Sequence, residues 1–474
     1  MGLLSNTKWV ALSQIFKVIV QLLNIIVLAK LIPPGEFGLM AMALVVINFS
    51  NLVRDLGTAA AIIQKQDIQD KTINAIFWLN VIVGCILALF IIASSPLISY
   101  VFHEKRLILV LCLLSISFPV VCASSAHLAL LEKQSRFREI AFIDISSSLF
   151  AAIIAIFLAY KGGGIYSLVV QSILISFISS LQIWNKSRWR PKFGKVFNWL
   201  EIKNIFVFSG NLTIFNFINY FSRNMDSVII GHYLSATILG AYSLAYRIML
   251  FPLQNMTFVA SRALFPVFSE NQNNNEKLRS AYLNTIYIIL LIVLPLMIGL
   301  ATLSESLIKL VFGDQWSLTG LLLVWLAPTG IIQSVLSTSG SIFMAKGRTD
   351  ILMRLGILGA FLQISAFLIG AKFGIVDFVV FYFIANVINF FPVMFFVMKI
   401  INGRLIDVFL KVYKLIVHSI FMCFLINFIR KHTDYFFDID SFLKLGVIIG
   451  IGVSFYLVMI FATEYKTIKS MVAS

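Results

Sequence analysis

The chain has 474 residues, 60% of them apolar, only 12% charged, and a formal net charge of +16. Its mean hydropathy of +0.95 is far above that of a soluble domain, and its apolar stretches repeatedly reach the roughly 20 residues that an α-helix needs to cross about 30 Å of hydrocarbon. A soluble enzyme is excluded, and the predicted fold is all-α and polytopic, with about 14 transmembrane helices.

In chain order the predicted spans are 9–32, 37–56, 73–95, 107–131, 140–160, 165–184, 206–233, 239–265, 282–302, 318–345, 351–371, 376–400, 408–428 and 443–462. The first begins after a single Lys8 and itself contains Lys17, unlike a cleavable signal peptide, so it is expected to remain in the mature protein. Gln14, Lys17, Gln21 and Asn24 interrupt it at steps of 3, 4 and 3. At 100° per residue they fall within an arc of about 80° on one helix face. Adding 202 to each number lands on Asn216, Asn219, Arg223 and Asp226 in the seventh span, a second polar stripe of the same geometry. The same offset carries LAKLIPPGEFG (28–38) onto IGHYLSATILG (230–240), with Gly38 on Gly240.

Further along, SSPLISYVF (94–102) matches SESLIKLVF (304–312) at an offset of 210, Pro119 maps to Pro328 at 209, and Lys133 to Lys346 at 213. The growing offset has a visible source in SENQNNNEKLRS, a longer loop than its counterpart around QKQDIQDK. Six spans followed by six copies, each set beginning on the same side, make a parallel repeat about an axis along the membrane normal. The expected organisation is an N-lobe of helices 1–6 (1–184), a basic linker (185–205), a C-lobe of helices 7–12 (206–402), and two accessory helices with a tail (403–474). Two lobes of this kind enclose a central cavity. Gly446 and Gly450 in the last span form a GxxxG, a hint of close helix packing. Pro119 and Pro328 are candidate symmetric bending points.

The positive charge sorts by location, which argues for topology rather than nucleic acid. Loops on the linker's side carry 21 basic residues and those on the other side carry 9. The positive-inside rule then places the linker and both termini in the cytoplasm. Seven basic residues lie inside spans (Lys17, Arg54, Arg223, Arg247, Arg262, Arg354 and Lys414), against Asp55, Asp144 and Asp226. A cation at mid-span costs about 2.5 to 3.5 kcal/mol on insertion scales, so it is kept only where it meets water, a partner or a ligand. Lys17, Arg223 and Arg247 lie too deep to reach the interface easily, whereas Arg54, Arg262, Arg354 and Lys414 are near cytoplasmic ends, where a headgroup contact is the better explanation. An inward-looking cationic stripe suits an anionic cargo. Its candidate binding residues are Lys17, Arg223, Arg247, Gln14, Gln21, Asn24, Asn216 and Asn219, with Asp226 as an ion-coupling candidate or simply the i, i+3 partner of Arg223.

No metal site or cofactor is indicated. Cys85, Cys112, Cys122 and Cys423 all lie in spans without CxxC spacing and read as small packing residues, the five histidines are scattered, and no GxxxxGK[ST] is present. Gly162–Gly164 reads as a turn.

Taken together, LAKLIPPGEFGLMAMALVVINFSNLVRDLGTAAAIIQ, FWLNVIVG, YFSRNMDSVIIGHYLSATILGAYSLAYRIMLFPLQN, ALFPVFS, LVFGDQW and AKGRTD resemble Wzx-type polysaccharide flippases, nearest the colanic-acid exporter branch, in the superfamily that also holds MATE antiporters and the lipid II flippase MurJ. The resemblance covers about residues 5–405. It implies a MATE/MurJ-like carrier, not an enzyme, in the bacterial plasma (inner) membrane. Such a carrier turns undecaprenyl-diphosphate-linked oligosaccharide outward by alternating access, for O-antigen, capsule or exopolysaccharide synthesis. Membrane lipids, and a polysaccharide polymerase with chain-length proteins, are the further partners it implies; nucleic acid is not among them. The family's cationic head-group cavity is carried over only to Lys17, Arg223 and, as a third, Arg247. Two alternatives stand beside this reading. A MATE-like exporter of small cationic molecules would need an acidic cavity, and a membrane-embedded glycan polymerase or ligase would need a long extracytoplasmic loop, which the spacing of spans does not leave.

Overall fold

The computed structural model describes residues 20–54, 69–192, 224–270, 274–433 and 442–473, together with 16, 62, 63 and 220. Among these residues the protein is all helix and turn, without a strand. Among the described residues, twelve helices are long and apolar enough to cross a membrane, and a shorter apolar helix covers Val20–Leu31. This is a multi-pass membrane protein, and the twelve fall on twelve of the fourteen predicted spans. The other two are represented by the short helix and by 224–233, the rest of both lying outside the described residues.

In order, the helices are α1 (Val20–Leu31), α2 (Pro34–Arg54), α3 (Asp70–Phe102), α4 (Leu107–Ser115), α5 (Ser117–Lys133), α6 (Phe137–Tyr160), α7 (Ile165–Lys186), α8 (224–233), α9 (Ala236–Glu270), α10 (Asn275–Phe312), α11 (Ser317–Ala345), α12 (Thr349–Gly370), α13 (Ile375–Ile400), α14 (Leu405–Thr433) and α15 (Phe442–Ala473). Local chemistry sets many of the boundaries. The Asn274 side chain caps α10 by accepting from the Lys277 N–H at 3.0 Å. Gly164 adopts φ 51 before α7, against the Glu36 carboxylate, in the turn expected from its glycines.

The chain forms two compact units, 1–240 and 241–474. In the first, Ile76, Phe77, Ala126 and Ala129 of α3 and α5 are buried with Trp78, Trp184 and Trp189 packed around them. The buried Cys122 lies where a Cβ on Gly84 would touch it, so this cysteine packs α5 closely on α3. The first stretch of the linker closes over the same cluster. Lys192 donates its backbone N–H to Asn74 at 2.8 Å and accepts from the Asn74 amide at 3.0 Å and the Trp78 indole at 3.2 Å. In the second unit, Tyr282, Ile286, Phe343, Met394, Val397, Leu415 and Met422 form a continuous core across α10, α11, α13 and α14.

The 202-residue offset reappears as a physical contact within the first unit. A Cβ on Gly38 would collide with the carbonyl oxygen of Ala236, one on Gly240 would collide with that of Pro34, and one on Gly35 would lie 3.1 Å from Thr237 Oγ1. Since 34, 35 and 38 plus 202 are 236, 237 and 240, equivalent residues of the two copies face each other reciprocally, as across a two-fold axis. Only glycine lets two helices approach to backbone contact. The same contact explains why the first unit extends to residue 240 rather than ending at the linker.

One sequence expectation is corrected. Gly446 and Gly450 face open space, and it is Gly452 that packs closely, against Ile426. Pro119 and Pro328 do not behave alike. The fourth span is interrupted at Ile116 between α4 and α5, whereas α11 runs unbroken through Pro328. Ser115 and Ser117 donate to the carbonyls of Cys112 and Leu114 at 2.7 and 2.6 Å, and these local bonds add to the hydrogen bond that Pro119 cannot make.

Candidate functional site

Of the predicted polar stripes, Gln21, Asn24 and Asp226 are described; Gln14, Lys17, Asn216, Asn219 and Arg223 lie outside the described residues. Gln21 is exposed, as are its neighbours Leu22 and Leu23. Asn24, one turn on, is half-buried, and its Oδ1 has no hydrogen-bond partner among the described residues. A buried amide oxygen without a donor is costly. Asp226 is 4% exposed, with Oδ1 accepting the Ser227 N–H at 2.6 Å. Just before α8, the Tyr220 hydroxyl donates to the Val45 carbonyl at 2.5 Å and its ring lies 5.8 Å from that of Phe49, so this level of the chain is tied to α2.

Arg247 stands apart in the second unit. It sits on α9, is exposed, and has no hydrogen-bond or ion-pair partner among the described residues. Its helix neighbours are aromatic, with Tyr242 and Tyr246 stacked at 5.7 Å. A guanidinium within a spanning segment and without a carboxylate is a donor set left for water or an anion, and its planar fork matches phosphate oxygens bidentately.

The other cations inside predicted spans divide. Lys414, expected at the headgroups, instead pairs with Glu464 at 2.7 Å; Glu464 is 4% exposed and also accepts from the Tyr287 hydroxyl at 3.0 Å. The carboxylate lies two residues past the predicted end of the last span, so a count confined to spans missed it. Arg354 is exposed on the first turns of α12, and Arg54 closes the last turn of α2. Glu36 was likewise missed. It pairs with Arg106 and accepts the Ile165 N–H at 2.9 Å, tying the starts of α2, α4 and α7 at the end of the unit remote from the linker. This carboxylate keeps the Arg106 guanidinium above its ordinary pKa.

An apolar cavity of about 260 Å³ opens in the first unit between α2, α3 and α8, lined by Val45, Phe49, Phe90, Ile98, Met225 and Val228. Two serines on its wall, Ser50 and Ser94, donate to the carbonyls of Val46 and Phe90 in their own helices, leaving the lining suited to hydrocarbon rather than to a charged group. Among the described residues no three His, Cys, Asp or Glu side chains come together as metal ligands, and the four cysteines are free.

These features fall within a recognisable family. Residues 27–319 match the family described as polysaccharide biosynthesis protein. Related proteins include the teichuronic acid biosynthesis protein TuaB of Bacillus subtilis (strain 168), 27% identical over 74% of this chain and 72% of that one. The lipopolysaccharide biosynthesis protein WzxC of Escherichia coli (strain K12) is 28% identical over 78% and 75%. The succinoglycan biosynthesis transport protein ExoT of Rhizobium meliloti (strain 1021) is 24% identical over 98% and 94%. The fold is shared with the lipid II flippase MurJ in its inward closed conformation, at a TM-score of 0.76, 16% identity, and 97% and 99% of the two chains. It is shared less fully with an inward-facing multidrug resistance MATE transporter of the MOP superfamily, at 0.59, 16% identity, and 80% and 94%. With the family match spanning well over half of the sequence, and the helices ordered as the repeat requires, the chain belongs to the polysaccharide biosynthesis protein family.

Proposed function

We propose that the protein is a flippase that moves undecaprenyl-diphosphate-linked oligosaccharide across the bacterial plasma membrane for the synthesis of a surface polysaccharide. The observation that carries the reading is Arg247, a spanning cation with no partner among the described residues, in a chain of this family. A pyrophosphate leaving water needs cationic donors in low dielectric, a sugar needs amides and hydroxyls, and a polyprenyl chain needs an apolar surface. Arg247 with Lys17 and Arg223 supplies the first, the amide stripe of Gln14, Gln21, Asn24, Asn216 and Asn219 the second, and the cavity beside Phe49 and Phe90 the third. Binding and alternating access suffice for the task, so no catalytic residue is assigned.

In this reading 1–184 and 206–402 are the rocking lobes, 185–205 joins them in the cytoplasm, and 403–474 is accessory. Both termini are cytoplasmic, on the basic side. Asp226, buried at the end of its stripe, is the first candidate for ion coupling. A polysaccharide polymerase and chain-length proteins are its expected neighbours.

Deletion of the gene followed by mass analysis of membrane lipids tests the proposal. Lipid-linked oligosaccharide should accumulate and surface polysaccharide should disappear, with restoration by the wild-type gene. Normal surface polysaccharide without accumulation would refute it.

A further inference from the structure

Two histidines far apart in sequence meet at the end of the first unit remote from the linker. α3 ends at Phe102, and His103 follows in the left-handed region at φ 54. The turn is fixed, with the Glu104 N–H bonded to the Ser99 carbonyl at 3.1 Å and the Ser99 hydroxyl to the Glu104 carbonyl at 2.9 Å. From α8, the His232 ring lies 5.3 Å from the His103 ring at 38°. The His232 Nδ1 is 2.6 Å from the Val101 carbonyl oxygen, one of the acceptors left free at the end of α3, so Nδ1 carries the hydrogen and Nε2 is open to a proton. One residue away, Gly231 lets α8 press on α3, because a Cβ there would lie 2.7 Å from Phe102 Cε1. Both rings are exposed.

We propose that His103 and His232 form a proton-binding site that holds this end of the carrier closed when neutral and releases it when protonated. The inference rests on the flippase reading for its purpose but not for its geometry. α3 belongs to the first sequence copy and α8 to the second, so their contact must part if the copies separate on this side. Neutral imidazoles stack without penalty, whereas two imidazolium rings at this spacing repel each other. Other titratable groups along these stretches are Tyr100, with its ring 6.4 Å from that of His103, Tyr233 beside His232, and Glu104 and Lys105 of the turn. Arg106 is committed to Glu36. Protons arriving from outside would thus open the carrier to that side, and their loss would let it close.

The test is made on the full chain in nanodiscs, with the four native cysteines replaced by serine and spin labels attached after Lys105→Cys and Leu234→Cys. Electron paramagnetic resonance distances are recorded from pH 8 to pH 5. The wild-type pair should gain a longer-distance population, with the open-to-closed ratio rising about tenfold, within the range of typical coupled sites. His103→Gln, and His232→Asn, which keeps a donor for the Val101 carbonyl, should hold the short distance at both pH values. An unchanged wild-type distribution, or a shift that survives both substitutions, overturns the proposal. No cargo enters this measurement, so it stands or falls separately from lipid accumulation in the deletion strain.

Discussion

The crossing of α2 with the start of α9, and the seam joining α10 to α14 and α15, hold helices together by opposite means. At the crossing, Gly35, Gly38 and Gly240 bring two backbones into contact, with each half repeating the other at an offset of 202. At the seam, the Lys414–Glu464 pair, the Tyr287 hydroxyl and the Lys411 ammonium 5.7 Å from the Tyr287 ring form a polar knot. Toward the other end of α10, the Arg430 guanidinium reaches the Thr302 carbonyl at 3.5 Å. The difference follows from what each contact joins. The crossing joins the two copies of a repeat, which can meet symmetrically through small residues. The seam joins α14 and α15, for which the sequence offers no copy, to one helix, and in hydrocarbon, where apolar faces have no preference for each other over lipid, a polar knot fixes position.

The largest effect is expected from breaking the crossing. Gly240→Val should destabilise the protein by about 3 kcal/mol, at the upper end for overpacking, because the atoms in the way are backbone. Thermal unfolding in detergent measures it. Gly38→Ala and Gly240→Ala should cost similar amounts, and the double variant less than their sum, since one displacement relieves both. Strictly additive costs would remove the reciprocity.

Arg247→Ala sharpens the contrast by removing a charge that holds no helix. Surface polysaccharide should be lost, consistent with roughly 2 to 5 kcal/mol of phosphate binding, while the unfolding temperature stays the same or rises. Arg247→Lys should retain part of the activity, since charge survives and the fork does not.

At the seam, Glu464→Gln should lower the unfolding temperature by less than Gly240→Val, because Lys414 is partly exposed and can turn to solvent. Replacing Lys414 and Glu464 together by methionine should recover most of the loss. A seam as sensitive as the crossing would show that the accessory pair is integral to the fold. Smallest of all, Pro119→Ala should change stability by no more than about 1 kcal/mol and slow amide exchange near Ile116, whereas Pro328→Ala leaves an already continuous helix.

Much of this was legible in sequence. Hydropathy located the spans, because only a helix satisfies its own backbone in lipid. The offset of 202 foretold which residues of the two copies correspond, and Gly38 and Gly240 proved to be partners as well as counterparts. Membership of a glycan-handling family was legible from ordered motifs. The candidate site rests on the sequence reading, in which depth within a span singles out Lys17, Arg223 and Arg247. Of these, Arg247 is described, exposed on α9, while Lys17 and Arg223 lie outside the described residues.

By itself, then, the sequence determined what depends on composition and local spacing: membrane residence, the positions of the spans, the correspondence at an offset of 202 and the surplus of cations over acids within the predicted spans. Tertiary structure alone decided which groups meet. Lys414 found Glu464 from 50 positions away, His103 found His232 from 129, and Glu36 joined Arg106 to the start of α7. Helical periodicity records which way a side chain faces along its own helix, and it carries no information about which distant helix stands opposite; that is set by packing.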